Sequence, residues 1–328
     1  MNRTPKVSIC IPTYQQAPYI RQAVESALSQ EFDDFEVVIS DDQSTDDVRS
    51  YLLSLNDGRL RIVRPRHHLS MAENWAFCVS QSHGTYVNVL SNDDVLYPSY
   101  AKKLSSILDG HPEVAFAYCG AELISEAGRS VGVERHVGGS FVRRGSDEIG
   151  RFIRGAGCVF ATVMIRRDCY EKVGGFGSWG IVGDWDLELR LLRTGGVAYL
   201  DEVLVKYRLW STRERESRIT LQLQEIVRLY ETTVSDLVKS CPRGMSRAVL
   251  AAKRHWARSG AVGIGRLTGT PKFEEAARLV LMLDSSLSVR FLLRLHRHGL
   301  SWVAAWVMKT KLWLRQRVKA LLYASRVD

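Results

Sequence analysis

Five short apolar runs punctuate the first 120 residues: Val7–Ile11, Glu36–Ser40, Leu60–Val63, Tyr86–Leu90 and Val114–Tyr118. Helical signals separate them. Pro18 opens a stretch to Ser29 with Ile20, Ala23, Val24, Ala27 and Leu28 at helical spacing. Ser44 with Asp47 has the spacing of a capping box for a helix to about Leu55, and Ser70 with Glu73 the same for one to about Ser80. Pro98–Leu108 reads as a further helix. The resulting rhythm along the chain is βαβα. It predicts an α/β, Rossmann-like, mostly parallel sheet with helices on both faces.

Ligands of such sheets sit at the carboxyl ends of the strands. The residues there are Pro12-Thr13-Tyr14 after the first run, Asp41-Asp42-Gln43-Ser44 after the second, and Ser91-Asn92-Asp93-Asp94 after the fourth. Two acidic clusters are thus expected at one crevice.

Residues 120–160 are rich in Gly and Arg and read as loops with short strands. A second compact stretch covers Val159–Arg208, with a helix opened by Gly183-Asp184-Trp185-Asp186 and ended by Gly195-Gly196. Beyond residue 211 the pattern is helical and basic. Residues 211–328 hold 22 Lys and Arg against 9 Asp and Glu, a net +13, which leaves −4 for residues 1–210 of a chain carrying +9. Basic segments of this kind meet nucleic acid, acidic lipid or phosphates. The expected division is therefore 1–210, with parts at about 1–120 and 121–210, followed by a helical region 211–328.

The six cysteines include no C-x-x-C pair, so neither a zinc ribbon nor a thioredoxin motif is indicated, and a reducing compartment is the simplest setting. No secretory signal and no apolar stretch of spanning length is read, which points to a cytoplasmic protein.

Each acidic cluster has two readings. Asp93-Asp94 is either a polar turn or a site for Mg²⁺ or Mn²⁺, which take one or two carboxylates plus substrate phosphates. Asp41-Asp42 is either a turn with a helix cap or a carboxylate for a nucleotide base or ribose. Asp184, at a predicted helix N-terminus, is either a first-turn acid or a general base kept ionised by the helix dipole. Glu188 lies one turn on along the same face, and Asp186 points elsewhere.

Three segments in one order decide between these readings: VSICIPTYQQAPYIRQAVESALSQEFDDFEVVISDDQSTDD at 7–47, HGTYVNVLSNDDVLYP at 83–98, and VGGFGSWGIVGDWDLELR at 173–190. Together they resemble family 2 glycosyltransferases, over roughly residues 6–210. The resemblance implies a GT-A fold, with a nucleotide-binding part fused to an acceptor-binding part. It implies inverting transfer from a nucleoside diphosphate sugar, with UDP favoured, to a saccharide or lipid-linked saccharide acceptor. By position it assigns Pro12, Thr13 and Tyr14 to the nucleotide loop and Asp42 to the base. Asp93 then contacts ribose or donor sugar, Asp94 the divalent cation (Mn or Mg), and Asp184 is the catalytic base. Trp179 reads as a stacking surface for an acceptor sugar or as packing, Glu188 as a partner in the Asp184 site, and Arg208 as a diphosphate contact or a solvated surface residue.

Several positions depart from the family pattern. Asn92 and Gly183 stand where acids are common, and Trp210 where many relatives carry His. No Q-x-x-R-W motif is present, which favours single transfer over polymerisation. The basic loop Arg64, Arg66, His67 and His68 reads as solvated surface rather than as a flank of the diphosphate. In residues 300–323, Trp302, Trp306 and Trp313 fall within about 40° of one another on a helical wheel, with Lys309, Lys311, Arg315 and Lys319 outside that face. This profile fits an anionic membrane surface, the docking of the helix on the catalytic domain, or a homo-oligomer contact. A sugar-nucleotide nucleotidyltransferase would show a Gly-rich, Arg-containing first loop where this chain has Pro-Thr-Tyr-Gln-Gln. No nucleic-acid motif is present, so no nucleic-acid partner is expected. An inactive transferase-like binding protein is opposed by Asp42, Asp93, Asp94 and Asp184 all being in place.

Overall fold

The structure is a computed structural model that describes residues 4–136, 138–210, 218–240, 245–301 and 303. It divides into two compact units, Met1–Ser211 with Thr233–Pro242, and Thr212–Thr232 with Arg243–Asp328.

The first unit is built on one ten-stranded sheet. Its strands are β1 (Val7–Thr13), β2 (Phe35–Asp41), β3 (Leu60–Val63), β4 (Tyr86–Val89), β5 (Val95–Leu96), β6 (Val114–Ile124), β7 (Ser130–Glu134), β8 (Phe141–Arg143), β9 (Met164–Arg166) and β10 (Gly196–Arg208). The order is β3-β2-β1-β4-β9-β6-β10-β5, with β7 beside β6 and β8 beside β10. β1 to β4 are parallel neighbours, and β6 runs parallel to β10. β9 runs against both β4 and β6, and β5 against β10. Among the described residues the sheet is mixed: four pairings, including the longest ladders, are parallel as the alternation of apolar runs leads one to expect, and five shorter pairings are antiparallel.

Helices α1 (Ala17–Leu28), α2 (Val48–Leu53), α3 (Met71–Ser80) and α4 (Tyr100–Gly110) cover it. Every residue of β1 is buried, and so is all of β2 except Glu36, because both faces are covered. Ile20, Ala23, Val24 and Ala27 on α1 pack into the same core as Ile9, Ile11, Val37 and Ile39. The Ser70–Glu73 capping box is present in full.

The other expected capping box is absent. Asp47, not Ser44, caps α2, and it does so without a side-chain bond. Ser44 and Asp46 serve the first loop instead: Ser44 Oγ accepts from Gln15 N–H (3.2 Å) and Asp46 Oδ2 from Ala17 N–H at the start of α1 (3.0 Å). A local pattern was overridden by a long-range need, because the α1 amide has no side-chain cap of its own.

Three further differences bear on the site. β6 continues to Ile124, and residues 145–152, expected as loop, form helix α5 (Gly145–Phe152) with Asp147 and Glu148 in its first turn. After α6 (Arg167–Lys172), the helix that carries Asp184, α7 (Gly183–Leu191), stops before Gly195-Gly196. Gly195 is required by close approach rather than by a cap, since a Cβ there would lie 2.7 Å from Glu113 O.

The second unit is helical, as expected: α8 (Ile219–Glu231), α10 (Met245–Gly263), α11 (Pro271–Leu283) and α12 (Leu287–Arg297), while α9 (Thr233–Ser240) falls in the first unit. Leu223, Ile226, Ala257, Ala261, Ala276, Val280, Val289 and Leu293 are buried in it. Apart from Leu300, Ser301 and Val303, the stretch read at 300–323 lies outside the described residues, as do Trp302, Trp306, Trp313 and Cys241. The five described cysteines are free. No described helix is long and apolar enough to cross a membrane.

Candidate active site

The crevice is assembled where β1, β2 and β4 end side by side. Thr13 and Asp41 are register partners, and Asp42 N–H donates to Thr13 O (3.0 Å). Across β1, the Asn92 amide donates to Thr13 Oγ1 (3.0 Å), so one threonine ties the two acidic clusters together. Pro12 and Thr13 are buried, whereas Tyr14 is 43% exposed. Gln15 and Gln43 each lie two residues past these strand ends, with φ of 53° and 62°. A non-glycine residue in that region costs about 1–3 kcal/mol, and such residues cluster at ligand-binding turns.

Asp41 and Asp42 are both nearly fully buried, yet they do different work. Asp41 closes its own turn by accepting from Ser44 N–H (3.0 Å) and pairs with Arg64 (3.0 Å). Asp42 Oδ1 accepts from Leu69 N–H (2.9 Å), and its Oδ2 lies 2.9 Å from His68 Nδ1. The His68 ring lies 4.4 Å from the Tyr14 ring, tilted by 35°. The loop read as solvated surface is therefore part of the crevice, through Arg64 and His68. The alternating signs of Asp41-Asp42 and Arg64-His68, 22 to 27 residues apart, were the only trace of this in the sequence.

The Asp93-Asp94 turn is held by β10. Immediately after Asp94, β5 pairs with β10 in the register Leu96↔Val205 and Val95↔Lys206, which brings the end of β10 under the turn. Arg208 N–H donates to Asp94 Oδ1 (2.9 Å). The Arg208 guanidinium donates to the carbonyls of Asp93 (2.8 Å), Ser125 (3.2 Å) and Glu126 (2.8 Å) and to Gln22 Oε1 (2.9 Å). At 2% exposure it is a brace inside the protein, neither solvated nor placed to touch a diphosphate, which corrects both sequence readings. The Trp210 indole donates to Asp93 Oδ2 (2.6 Å) and packs edge-on against Tyr19.

Asp94 is buried, and its Oδ2 has no hydrogen-bond partner among the described residues. Burial, and then the adjacent Asp93 charge, push its carboxyl well above the usual range; burial also raises Asp93. An orphaned buried carboxylate oxygen is costly unless it holds a proton or meets a cation. The pair fits a divalent ion on that ground. Among the described residues no group of three or more acidic, His or Cys side chains forms a complete cage. Such a site suits an ion that brings the remaining ligands with a diphosphate.

Asp184 is half-buried at the second position of α7, where its Oδ1 accepts from Trp185 N–H (2.7 Å). Glu188, one turn on, is fully buried. Its oxygens accept from Gly157 N–H (2.9 Å) and the Cys158 thiol (3.1 Å). Burial, and then the Asp184 charge, raise the Glu188 carboxyl to about 8. As it stands, Glu188 has no surface for an acceptor; it anchors the loop 157–158 to the helix. Gly157 must be glycine there, because a Cβ would run into the Phe152 ring. The chain then passes to 161–163, whose Ala161 and Val163 carbonyls accept from Asn88 on β4. Asp186 takes the other face of α7, paired with Arg190 (2.7 Å) and accepting from Thr233. Trp179 is 8% exposed and folds over Gly177.

Beside this helix lies a cavity of about 350 Å³ lined by Tyr118, Glu134, His136, Arg151, Cys158 and Tyr199, among others. A larger one of about 550 Å³, along α3 and residues 167–176, lies away from these acids.

Residues 8–174 match the family model described as glycosyl transferase family 2. An uncharacterized glycosyltransferase of Rickettsia typhi is 28% identical over 250 residues, 72% of this chain and 74% of its own. Among solved structures, residues 1–349 of TarS from S. aureus in complex with UDP-GlcNAc align with a TM-score of 0.54, covering 90% of this chain and 88% of that one at 17% identity. A mannosyltransferase from Pyrobaculum calidifontis, PcManGT, in complex with GDP-Man and Mn²⁺, aligns with a TM-score of 0.55 over 93% and 87% at 17% identity. At these identities the structural likeness is one of fold.

Proposed function

The chain belongs to glycosyl transferase family 2 and is a nucleotide-sugar glycosyltransferase, and on that premise we propose that it carries out metal-dependent, inverting, single transfer from a UDP-sugar to a saccharide or lipid-linked saccharide. The observation that carries this reading is the Asp93-Asp94 turn, with one buried oxygen lacking a partner among the described residues, at the same sheet end as Asp42. Asp94, with Asp93 beside it, would hold the cation. A bound divalent ion supplies neutralisation of the charge that develops on the leaving diphosphate.

The chain's own residues do the rest. Thr13, Tyr14 and Asp42 seat the nucleoside, Tyr14 by its exposed ring and Asp42 by accepting from the base. Asp184 takes the proton of the attacking hydroxyl. Buried Glu188 keeps its proton to about pH 8, and the dipole of α7 favours a carboxylate at Asp184 in the helix's first turn. Direct displacement at the anomeric carbon inverts it and needs no enzyme nucleophile. The 350 Å³ cavity walled by Cys158 is placed to take the acceptor's sugar, with Arg151 and Glu188 fixing its wall.

A polysaccharide-assembly setting at the cytoplasmic face of a membrane accords with the +13 of residues 211–328. Cosedimentation of the full chain with phosphatidylglycerol vesicles, but not with phosphatidylcholine vesicles, is the expected result; equal recovery from both would remove the membrane role. Donor use is tested by UDP release from a panel of UDP-sugars with Mn²⁺ and with EDTA. Release from one sugar with Mn²⁺ alone supports the reading. Release that persists in EDTA would refute metal dependence.

A further inference from the structure

Asp42 has both oxygens engaged by its own chain, on very different terms. Leu69 N–H, which holds Oδ1, is backbone in a loop pinned to the end of β2. Arg64 bonds Asp41 (3.0 Å) and Gln43 Oε1 (3.0 Å), and the Gln43 amide donates to Pro65 O (2.5 Å). On the other side Ser70 is locked in its capping box with Glu73. The His68 imidazole, which holds Oδ2, is a side chain 57% exposed. It can leave by rotating into water without disturbing any of those bonds.

The position it occupies is chemically specific. A planar nitrogen heterocycle lies 4.4 Å from the Tyr14 ring, tilted by 35°, and offers a ring N–H to a buried carboxylate. A carboxylate oxygen accepts, so Nδ1 carries the hydrogen. Both contacts are those a nucleobase would make there.

We propose that the His68 imidazole is an internal stand-in for the donor's nucleobase, lying against Tyr14 and bonded to Asp42, and that a base with a ring N–H displaces it on binding. The proposal rests on the reading of this crevice as the nucleotide site and adds a selection rule to it. With Oδ1 kept by Leu69, only Oδ2 becomes free, and it demands a donor. Uracil and thymine present a ring N–H at N3, whereas cytosine presents a lone pair. The single-ring width of the imidazole fits a pyrimidine. His68 thus makes the site self-filled when empty, and each nucleotide must compete with it.

The test is calorimetric titration of UDP, CDP and inorganic pyrophosphate, each with Mn²⁺, into the full chain and into His68→Ala. Removing a competing, half-exposed contact is expected to tighten UDP by about 3–10-fold and to leave pyrophosphate unchanged. In the unaltered protein the ¹⁵N-labelled imidazole should lose its bonded Nδ1–H signal with UDP and keep it with pyrophosphate. UDP binding that weakens or stays the same in His68→Ala would overturn the proposal while leaving the nucleotide site intact. CDP binding as tightly as UDP would overturn the selection rule. Failure of UDP to bind either protein would remove the nucleotide site itself, and this inference with it.

Discussion

Asp184 and Glu188 are carboxylates one helical turn apart, and their surroundings give them opposite tasks. Glu188 is sealed and bonded to loop 157–158; Asp184 keeps part of its surface. Replacing Asp184 with Asn should preserve UDP binding and reduce transfer by roughly 10²–10⁴-fold, the usual size of a general-base contribution. Wild-type turnover in that variant would remove the assignment. Glu188 yields a pH signature. Its carboxyl is raised from an ordinary 4.5 to about 8, so between those values the folded state holds a proton that the unfolded state has released. Stability from this group is therefore full below the unfolded value and is lost as pH rises through about 8. Glu188→Gln removes that loss while keeping an acceptor for Gly157 N–H. Its melting temperature should exceed the wild type's by more at about pH 8.5 than at about pH 5. A pH-independent difference would show that the carboxyl does not bind a proton on folding.

At the scale of elements, β10 and α3 act as supports. The two-residue β5 fixes the register that places Arg208 under the acidic turn. Arg208 then joins that turn to the end of β6 and to α1, through Glu126 and Gln22. Arg208→Met would strand these acceptors in the interior, at a cost of about 3–5 kcal/mol, the range for breaking a buried charged network. Urea unfolding measures it, and a loss below about 1 kcal/mol would show that the guanidinium is dispensable to the fold. Ser70, the N-cap of helix α3, directly follows Leu69, so this cap also steadies the loop on Asp42. Ser70→Ala should lower stability by about 1 kcal/mol. A change within about 0.3 kcal/mol would mean that the capping box contributes little.

For the molecule as a whole, β1 to β4 and the start of β6 were readable because each apolar run had nothing to compete with strand formation, and the Ser70–Glu73 box was readable because both partners are local. What escaped was set by distant partners. Ser44 and Asp46 look like residues that begin a helix, but they are drawn to the first loop by unsatisfied amides at Gln15 and Ala17. Arg208, His68 and Trp210 each read as surface or as departures from a pattern. Their roles arise from strand register and loop closure, which no residue spacing encodes. The acidic positions were visible as residues; the orphaned oxygen of Asp94 and the raised carboxyl of Glu188 depend on burial, which only the folded chain reveals.

The central claim is that this crevice binds a nucleoside diphosphate through a divalent ion held at Asp93-Asp94. Calorimetric titration of UDP, GDP and dTDP, each with Mn²⁺ and with EDTA, into the wild type and Asp94→Ala tests it most directly. UDP should bind with Mn²⁺, and binding should collapse with EDTA or on loss of Asp94. UDP affinity unchanged by either would place the diphosphate elsewhere and contradict the metal site.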